Sequence, residues 1–225
     1  MRVQTGITGL DKLIEGGIPE DDLILLTGYC GTGKTIFGLQ FLYSSDENGL
    51  YISFEETPER IRKSAERFGW DIEAMERENK LRILKYDPFR FEDIFEVIEN
   101  NISEIGAKRI FIDSISAIGI YARNAQELRR MMLQLSTLMR KSKCTAILAS
   151  EIVPGKKSIS RFGVEEFVSD GVIILHKILE AGQYKNGLSI WKMKDTNHSN
   201  KIHEYTINEN GFTVYPAKIL KTDRM

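Results

Sequence analysis

Leu23-Ile24-Leu25-Leu26 runs into Thr27 and then Gly28-Tyr29-Cys30-Gly31-Thr32-Gly33-Lys34-Thr35. An apolar run followed by G-x-x-x-x-G-K-[ST] is the P-loop (Walker A) pattern in its required setting, a buried strand entering a helix. The glycines let the backbone curl so that its N–H groups point inward around phosphate oxygens. In this reading Gly28 to Thr35 cradle a nucleoside triphosphate and Lys34 reaches the β- and γ-phosphates. The Thr35 hydroxyl ligates Mg²⁺. The helix that follows Gly33 adds the positive end of its dipole. A plain glycine-rich turn does not call for the Lys34-Thr35 pair.

Outward from the loop, the chain alternates between strand and helix. Strands are expected at 23–27, 50–54, 81–84, 109–113 and 144–150. Helices are expected at 34–44, 57–68, 91–105 and 125–141, and a short one at 8–15 capped by Thr8. Thr57 and Pro58 form an N-cap and first-turn pair. After Ser150 a polar loop at 153–163 gives way to strands near 171–178, 188–193, 204–207 and 212–215, with turns between them. The fold class is therefore α/β, a mostly parallel central sheet flanked by helices with an antiparallel C-terminal extension. A length of 225 residues, 42% of them hydrophobic, suits one domain over 1–225.

Composition narrows the function classes. The formal net charge of −1 supplies no global field to attract nucleic acid. Cys30 and Cys144, far apart, read as free thiols of a reducing compartment. No apolar stretch approaches the about 18 residues of a membrane span, and Met1 to Gly6 carry no signal-peptide core. A cytoplasmic protein is the expectation. His176, His198 and His203 do not combine with the cysteines at zinc-site spacing.

Two strand ends complete a triphosphate site. Ile110-Phe111-Ile112 leads into Asp113, a carboxylate at the strand's carboxyl end, where it would hold Mg²⁺. The plain alternative is an N-cap. Leu50 to Phe54 leads into Glu55 and Glu56. Adjacent residues of an extended chain face opposite ways, so one carboxylate can face the γ-phosphate. Glu56 is read as the water-activating group, Glu55 as its assistant, with Lys34 as the third catalytic group. The plain alternative is a solvated loop before a helix.

Several stretches carry a resemblance. Thr5-Gly6-Ile7-Thr8-Gly9-Leu10-Asp11, then Gly16-Gly17-Ile18-Pro19 and the P-loop, resemble the opening of RecA-superfamily ATPases. Tyr51-Ile52-Ser53-Phe54-Glu55-Glu56 and the stretch from Val164 to Leu175, which contains Ser169-Asp170-Gly171, resemble the KaiC branch more specifically. Lys192-Met193-Lys194-Asp195-Thr196-Asn197-His198 resembles that branch's Lys-x-Arg-x-x-x-His segment. The likeness spans about 5–216 and implies a RecA-like ATPase core using ATP and Mg²⁺. It also implies a homo-oligomer, usually a hexameric ring, with nucleotide between subunits. By the same resemblance Lys192 and Lys194 reach the γ-phosphate of a neighbouring subunit, and Ser150 with Glu151 sits where the family senses that phosphate. On sequence alone the two lysines are same-face residues of a strand.

Three departures qualify the likeness. Lys194 stands where the family often has Arg and lacks the bidentate fork. Cys30 stands where Pro is common, and a thiol near a helix N-terminus can become more acidic. The clock protein's phosphoacceptor pair falls at Glu166-Phe167, neither of which accepts phosphate, so autokinase activity is not implied. The leading expectation is an ATP-hydrolysing KaiC-like protein that regulates an unidentified protein partner. The alternatives are a RadA-type DNA-acting ATPase, with the basic loop Gly155 to Arg161 as its nucleic-acid contact, and a nucleotide-gated scaffold for a signalling or motility machine.

Overall fold

Ile24 and Leu26 face one side of a sheet, Leu23 and Leu25 the other, and all four are fully buried. A strand apolar on both faces belongs in the middle of a layered α/β fold. The computed structural model describes residues 1–122, 124–155, 157–180 and 182–221, without the side chains of 90–92. Its strands are β1 (Arg2–Val3), β2 (Ile18–Pro19), β3 (Leu23–Gly28), β4 (Gly49–Ser53), β5 (Leu81–Lys85) and β6 (Arg109–Asp113). They continue with β7 (Thr145–Glu151), β8 (Gly171–Glu180), β9 (Gln183–Met193), β10 (His203–Asn208) and β11 (Gly211–Ile219). The helices are α1 (Lys34–Tyr43), α2 (Pro58–Glu66), α3 (Ile72–Arg77), α4 (Ile94–Ile105), α5 (Ile115–Gly119), α6 (Ala125–Ser142) and α7 (Glu165–Val168).

The main sheet has the order β11-β10-β9-β8-β3-β7-β6-β4-β5. From β8 to β5 every pairing is parallel, and β9, β10 and β11 add on antiparallel. Parallel strands need crossovers, and the helices supply them on both faces. Phe37, Phe41, Ile61 and Trp70 from α1 to α3 pack on one face with Tyr51 and Phe111. Ile98 and Ile102 of α4 and Met132 and Leu135 of α6 pack on the other with Ile52 and Leu148. Helix α1 lies so close to the sheet that a Cβ on Gly38 would stand 2.2 Å from the Phe111 ring.

The α/β reading and the antiparallel extension agree with the observed sheet. Local differences have visible causes. The expected helix at 8–15 is a single 3-10 turn, Asp11–Leu13. The Asp11 carboxylate accepts from the Thr5 N–H and hydroxyl, and Thr8 bridges to Thr213 instead of capping. Helix α4 starts at Ile94, because Pro88–Asp93 forms a 3-10 turn. The hairpin of β8 and β9 runs past the expected ends, where Leu179 and Tyr184 stand exposed and the apolar pattern has stopped.

Candidate functional site

The carboxyl ends of β3, β4, β6 and β7 open on one edge of the sheet, the place where α/β folds bind ligands. Strand β3 delivers Gly28 into a tight corner, where a Cβ would lie 2.7 Å from the Leu175 carbonyl oxygen. Gly31 and Gly33 have φ of 71° and 88°, the left-handed conformations that turn successive N–H groups inward. The Thr32 hydroxyl donates to the Tyr29 carbonyl (2.8 Å) and closes the curl. Helix α1 then starts at Lys34 with no side-chain cap on its first turn, so its N–H groups face the loop. The far wall comes from β10. Tyr205 donates its hydroxyl to the Thr32 carbonyl (2.7 Å), and a Cβ on Gly33 would strike Ile207 at 2.2 Å.

Lys34 Nζ lies over the loop, donating to the Gly28 and Tyr29 carbonyls at 3.1 Å each. Burial lowers its pKa, while the charges of Glu151, Asp113, Cys30 and Glu55 pull it back up. Phe111 and Asp113 share the α1 face of β6, which aims Asp113 at the start of α1. Its Oδ2 accepts from the Thr35 hydroxyl and from the Tyr51 hydroxyl, both at 2.8 Å. Burial, then the Asp113 charge, raises the Tyr51 pKa well above its ordinary value, so Tyr51 stays a donor. A hydroxyl and a carboxylate oxygen brought together at the loop suit Mg²⁺, which takes one or two protein oxygens and completes its shell with phosphate and water. Among the described residues no group of three or more His, Cys, Asp or Glu side chains forms a separate metal centre.

Glu55 and Glu56 follow β4 at the mouth of the same edge. Desolvation, then the charges of Glu151, Asp113 and Glu56, raise the Glu55 pKa, and Arg161 opposes them. The Glu56 N–H is fastened to the Ser53 hydroxyl (2.9 Å). On β7, Ser150 and Glu151 pair in register with Thr27 and Gly28. Ile147 and Ala149 belong to the core on the α1 side, so Glu151 faces α1 and Ser150 faces away. Ser150 is fully buried, and its hydroxyl donates to Glu165 Oε1 (3.2 Å). Of the two groups expected at this strand end, Glu151 is the one turned toward the loop. It accepts from Arg161 Nη1 at 2.9 Å.

Lys192 and Lys194 stand elsewhere. Lys192 opposes Val172, next to Gly171, which pairs with Ile24 at the amino end of β3. The loop is at the other end, where Gly28 pairs with Leu175. Lys192 Nζ donates to the Glu166 carbonyl (2.8 Å) and Lys194 Nζ to Asp170 Oδ1 (2.8 Å). Neither lysine reaches the phosphate loop of its own chain.

Beside the loop a cavity of about 370 Å³ lies between Ile36, Arg67, Phe68, Ile207 and Glu209. Cys30 is exposed on the loop and Cys144 is buried, donating to the Ala107 carbonyl (3.1 Å), and both are free thiols. Lys156 of the basic loop lies outside the described residues. Sequence reading did not single out Tyr205 or the Tyr51 hydroxyl, and it placed Arg161 only in the basic loop offered to nucleic acid. A tyrosine in the strand 50–54, on the same face as Ser53 and Glu55, is a weak signal for Tyr51. Tyr205 has none, since its partner is 173 residues away.

Comparison with known proteins agrees with this geometry. The family model described as "ATPase: KaiC" matches residues 3–219. A UPF0273 protein of Methanocaldococcus jannaschii is 39% identical over 241 residues, covering 98% of each chain. The circadian clock oscillator protein KaiC of Synechococcus elongatus is 34% identical over 234 residues, covering 98% of this chain and 45% of that protein. The present chain thus spans less than half of the clock protein. The crystal structure of a KaiC-like protein from Pyrococcus horikoshii superposes with a TM-score of 0.87 at 39% identity, covering 96% of this chain and 99% of that one. With a P-loop on a RecA-like core and a family match along nearly its whole length, the chain belongs to the KaiC-like ATPases of the RecA superfamily.

Proposed function

We propose that residues 1–225 form one KaiC-like RecA-type ATPase domain that hydrolyses ATP with Mg²⁺ between the subunits of a homo-oligomeric ring, hexameric as the family resemblance implies. Its nucleotide state would regulate a protein partner in the cytoplasm. One observation carries this reading. The phosphate loop, Asp113 and the glutamates share one end of the sheet, while Lys192 and Lys194 stand at the opposite end, away from their own chain's loop, which suits a role in a neighbour's site.

The chemistry follows from the side chains. Loop N–H groups and the α1 terminus take the β- and γ-phosphate oxygens, and Lys34 exchanges its two carbonyls for them. Mg²⁺ at Thr35 and Asp113 would screen the charge of these oxygens. Tyr51 keeps Asp113 aimed at Thr35. Glu56 takes the proton of the attacking water as the water oxygen bonds to the γ-phosphorus and the bond to the bridging oxygen breaks. Glu55 stands beside it. Lys192 of the next subunit neutralises charge on the transferring group. The cavity between Arg67, Phe68 and Ile207 offers the base an aromatic ring and a guanidinium.

Steady-state ATP hydrolysis measured against protein concentration, with light-scattering mass in parallel, tests the reading. Turnover should rise with assembly, and Glu56→Gln should abolish it while ATP stays bound. Retained turnover in Glu56→Gln moves the base elsewhere, to Glu55 first. ATP binding without oligomer or turnover leaves the nucleotide-gated scaffold as the function.

One observation favours nucleic acid as a second ligand class. The loop at 153–163 carries few aromatic rings of its own, but α7 and β9 bring exposed Phe167 and Trp191 to a cavity of about 540 Å³ shared with Lys157 and Lys192. Bases stack on such rings while lysines track phosphates. DNA-stimulated turnover that falls steeply with salt would establish this reading.

A further inference from the structure

We propose that Arg161 is a γ-phosphate-reading arginine supplied by the chain's own loop between β7 and α7, and that Glu151 holds it beside the P-loop until a triphosphate takes it over. The inference rests on the nucleotide reading above and adds to it a group that distinguishes ATP from ADP.

Placement is the first ground. Glu151 pairs in register with Gly28, the first residue of the phosphate loop, and the N–H of Ile152 donates to the Gly28 carbonyl (3.1 Å). The alternation of β7 turns the Glu151 side chain to the α1 side, where Lys34 begins its helix. Arg161 Nη1 sits 2.9 Å from Glu151 Oε2, so the guanidinium is drawn to the rim of the site.

Anchoring is the second. The Arg161 N–H donates to the Ser150 hydroxyl (3.3 Å), and two residues earlier the Ile159 carbonyl accepts from the Thr27 hydroxyl (2.6 Å). The backbone beneath Arg161 is thus fastened to both β3 and β7. Its side chain, about a third exposed at 34%, is the part left free to swing.

Charge is the third. Glu151 is the largest electrostatic influence on Lys34, and Arg161 is the cation felt by Glu55. Glu151 thus competes with phosphate for both cations of this rim. When the γ-phosphate arrives, its oxygens offer the guanidinium fork a denser negative charge than one carboxylate does, in a geometry that suits two parallel N–H bonds. The β-phosphate is enclosed by the loop and Lys34. The position beside Glu55 belongs to the terminal phosphate, the one ADP lacks.

Binding of Mg²⁺-ADP and of the Mg²⁺ complex of the β,γ-imido ATP analogue, measured by calorimetry on the full chain and on Arg161→Ala, Arg161→Lys and Glu151→Gln, tests the assignment. Arg161→Ala should weaken the analogue by about tenfold or more, the size of one lost charge-assisted contact, and shift ADP less than about twofold. Arg161→Lys should fall between. Glu151→Gln, which releases the arginine, should tighten the analogue relative to ADP. Equal losses for both nucleotides, or an unchanged ratio in chains that bind both, overturn the assignment and leave the nucleotide site standing. A wild-type chain that binds neither nucleotide overturns the site and the arginine together. If Arg161→Ala does not fold, the ratios of the other two variants decide.

Discussion

Lys194 donates to Asp170 Oδ1 at 2.8 Å, and the other oxygen of that carboxylate accepts from the Leu23 N–H at 3.1 Å. Lys194 is therefore tied to the amino end of β3 through a carboxylate that is itself buried, and Arg140 shares the same oxygen at 2.8 Å. Lys192, held by a single carbonyl, has no such anchor. Burial, then the Lys194 charge, lowers its pKa, and the charge of an anionic phosphate would oppose that shift. Lys192→Ala should cut assembled turnover by about tenfold or more with the melting temperature unchanged. Lys194→Ala should lower turnover and melting temperature together. Lys192→Ala chains mixed with Glu56→Gln chains should regain activity, because some interfaces join an intact glutamate pair to an intact lysine. No recovery in rings that contain both variants would remove Lys192 from the neighbour's site.

Tyr51→Phe takes one of two donors from Asp113 Oδ2 and leaves Thr35 in place. Groups that orient a metal-binding carboxylate typically contribute about 10–100-fold to affinity or rate. The Mg²⁺ concentration for half-maximal turnover should rise in that range. ADP affinity measured without metal should stay the same. A variant with an unchanged Mg²⁺ dependence would make the tyrosine a packing residue only.

Asp22 supplies a pH signature. Burial and the Asp170 charge push its pKa up to about 6, against Arg140 and Lys194. Between about pH 4 and 6 the folded chain holds a proton that the unfolded chain has released, so this group's contribution falls as pH rises. Asp22→Asn should therefore stabilise the protein at pH 7 by on the order of 1 kcal/mol, allowing for solvent screening of a partly exposed site. The gain should vanish by about pH 4, which urea titrations at both pH values would read. A gain that is equal at both would assign the effect to packing.

Gly38→Ala adds a methyl where the Phe111 ring already stands. Alanine favours a helix over glycine by about 1 kcal/mol, but overpacking a closed core costs about 1–3 kcal/mol. The clash should win, lowering the denaturation midpoint. A raised midpoint would mean that α1 rides higher on the sheet than described.

Much of the core was readable because its strands announce themselves. Arg109–Asp113 is apolar on both faces, ends in a carboxylate and is found at the expected boundaries. The P-loop is legible because glycine, lysine and threonine at fixed spacing have little other reason to occur together. The same double-sided burial hides the phase of a strand. In β7 every residue from Thr145 to Ser150 is buried, so no alternation tells which of Ser150 and Glu151 faces the loop. Helix α5 went unread because it is five residues long and buried throughout. The anchors of Lys192 and Lys194 depend on a register shift between β8 and β9 at Trp191, which no local pattern records.

Tyr205 and Ile207 give the C-terminal strands a role in shaping the loop that opens the fold. A chain cut just before β10 would keep every residue of the G-x-x-x-x-G-K-[ST] pattern, the whole parallel sheet and both flanking helical layers. It would lose the hydroxyl that grips the Thr32 carbonyl and the methyl group that bars Gly33 from moving outward. Such a fragment would still match the motif in any sequence search and yet hold its phosphate cradle open on one side. The smallest unit that closes the cradle on every side is therefore longer than the smallest unit that carries the motif.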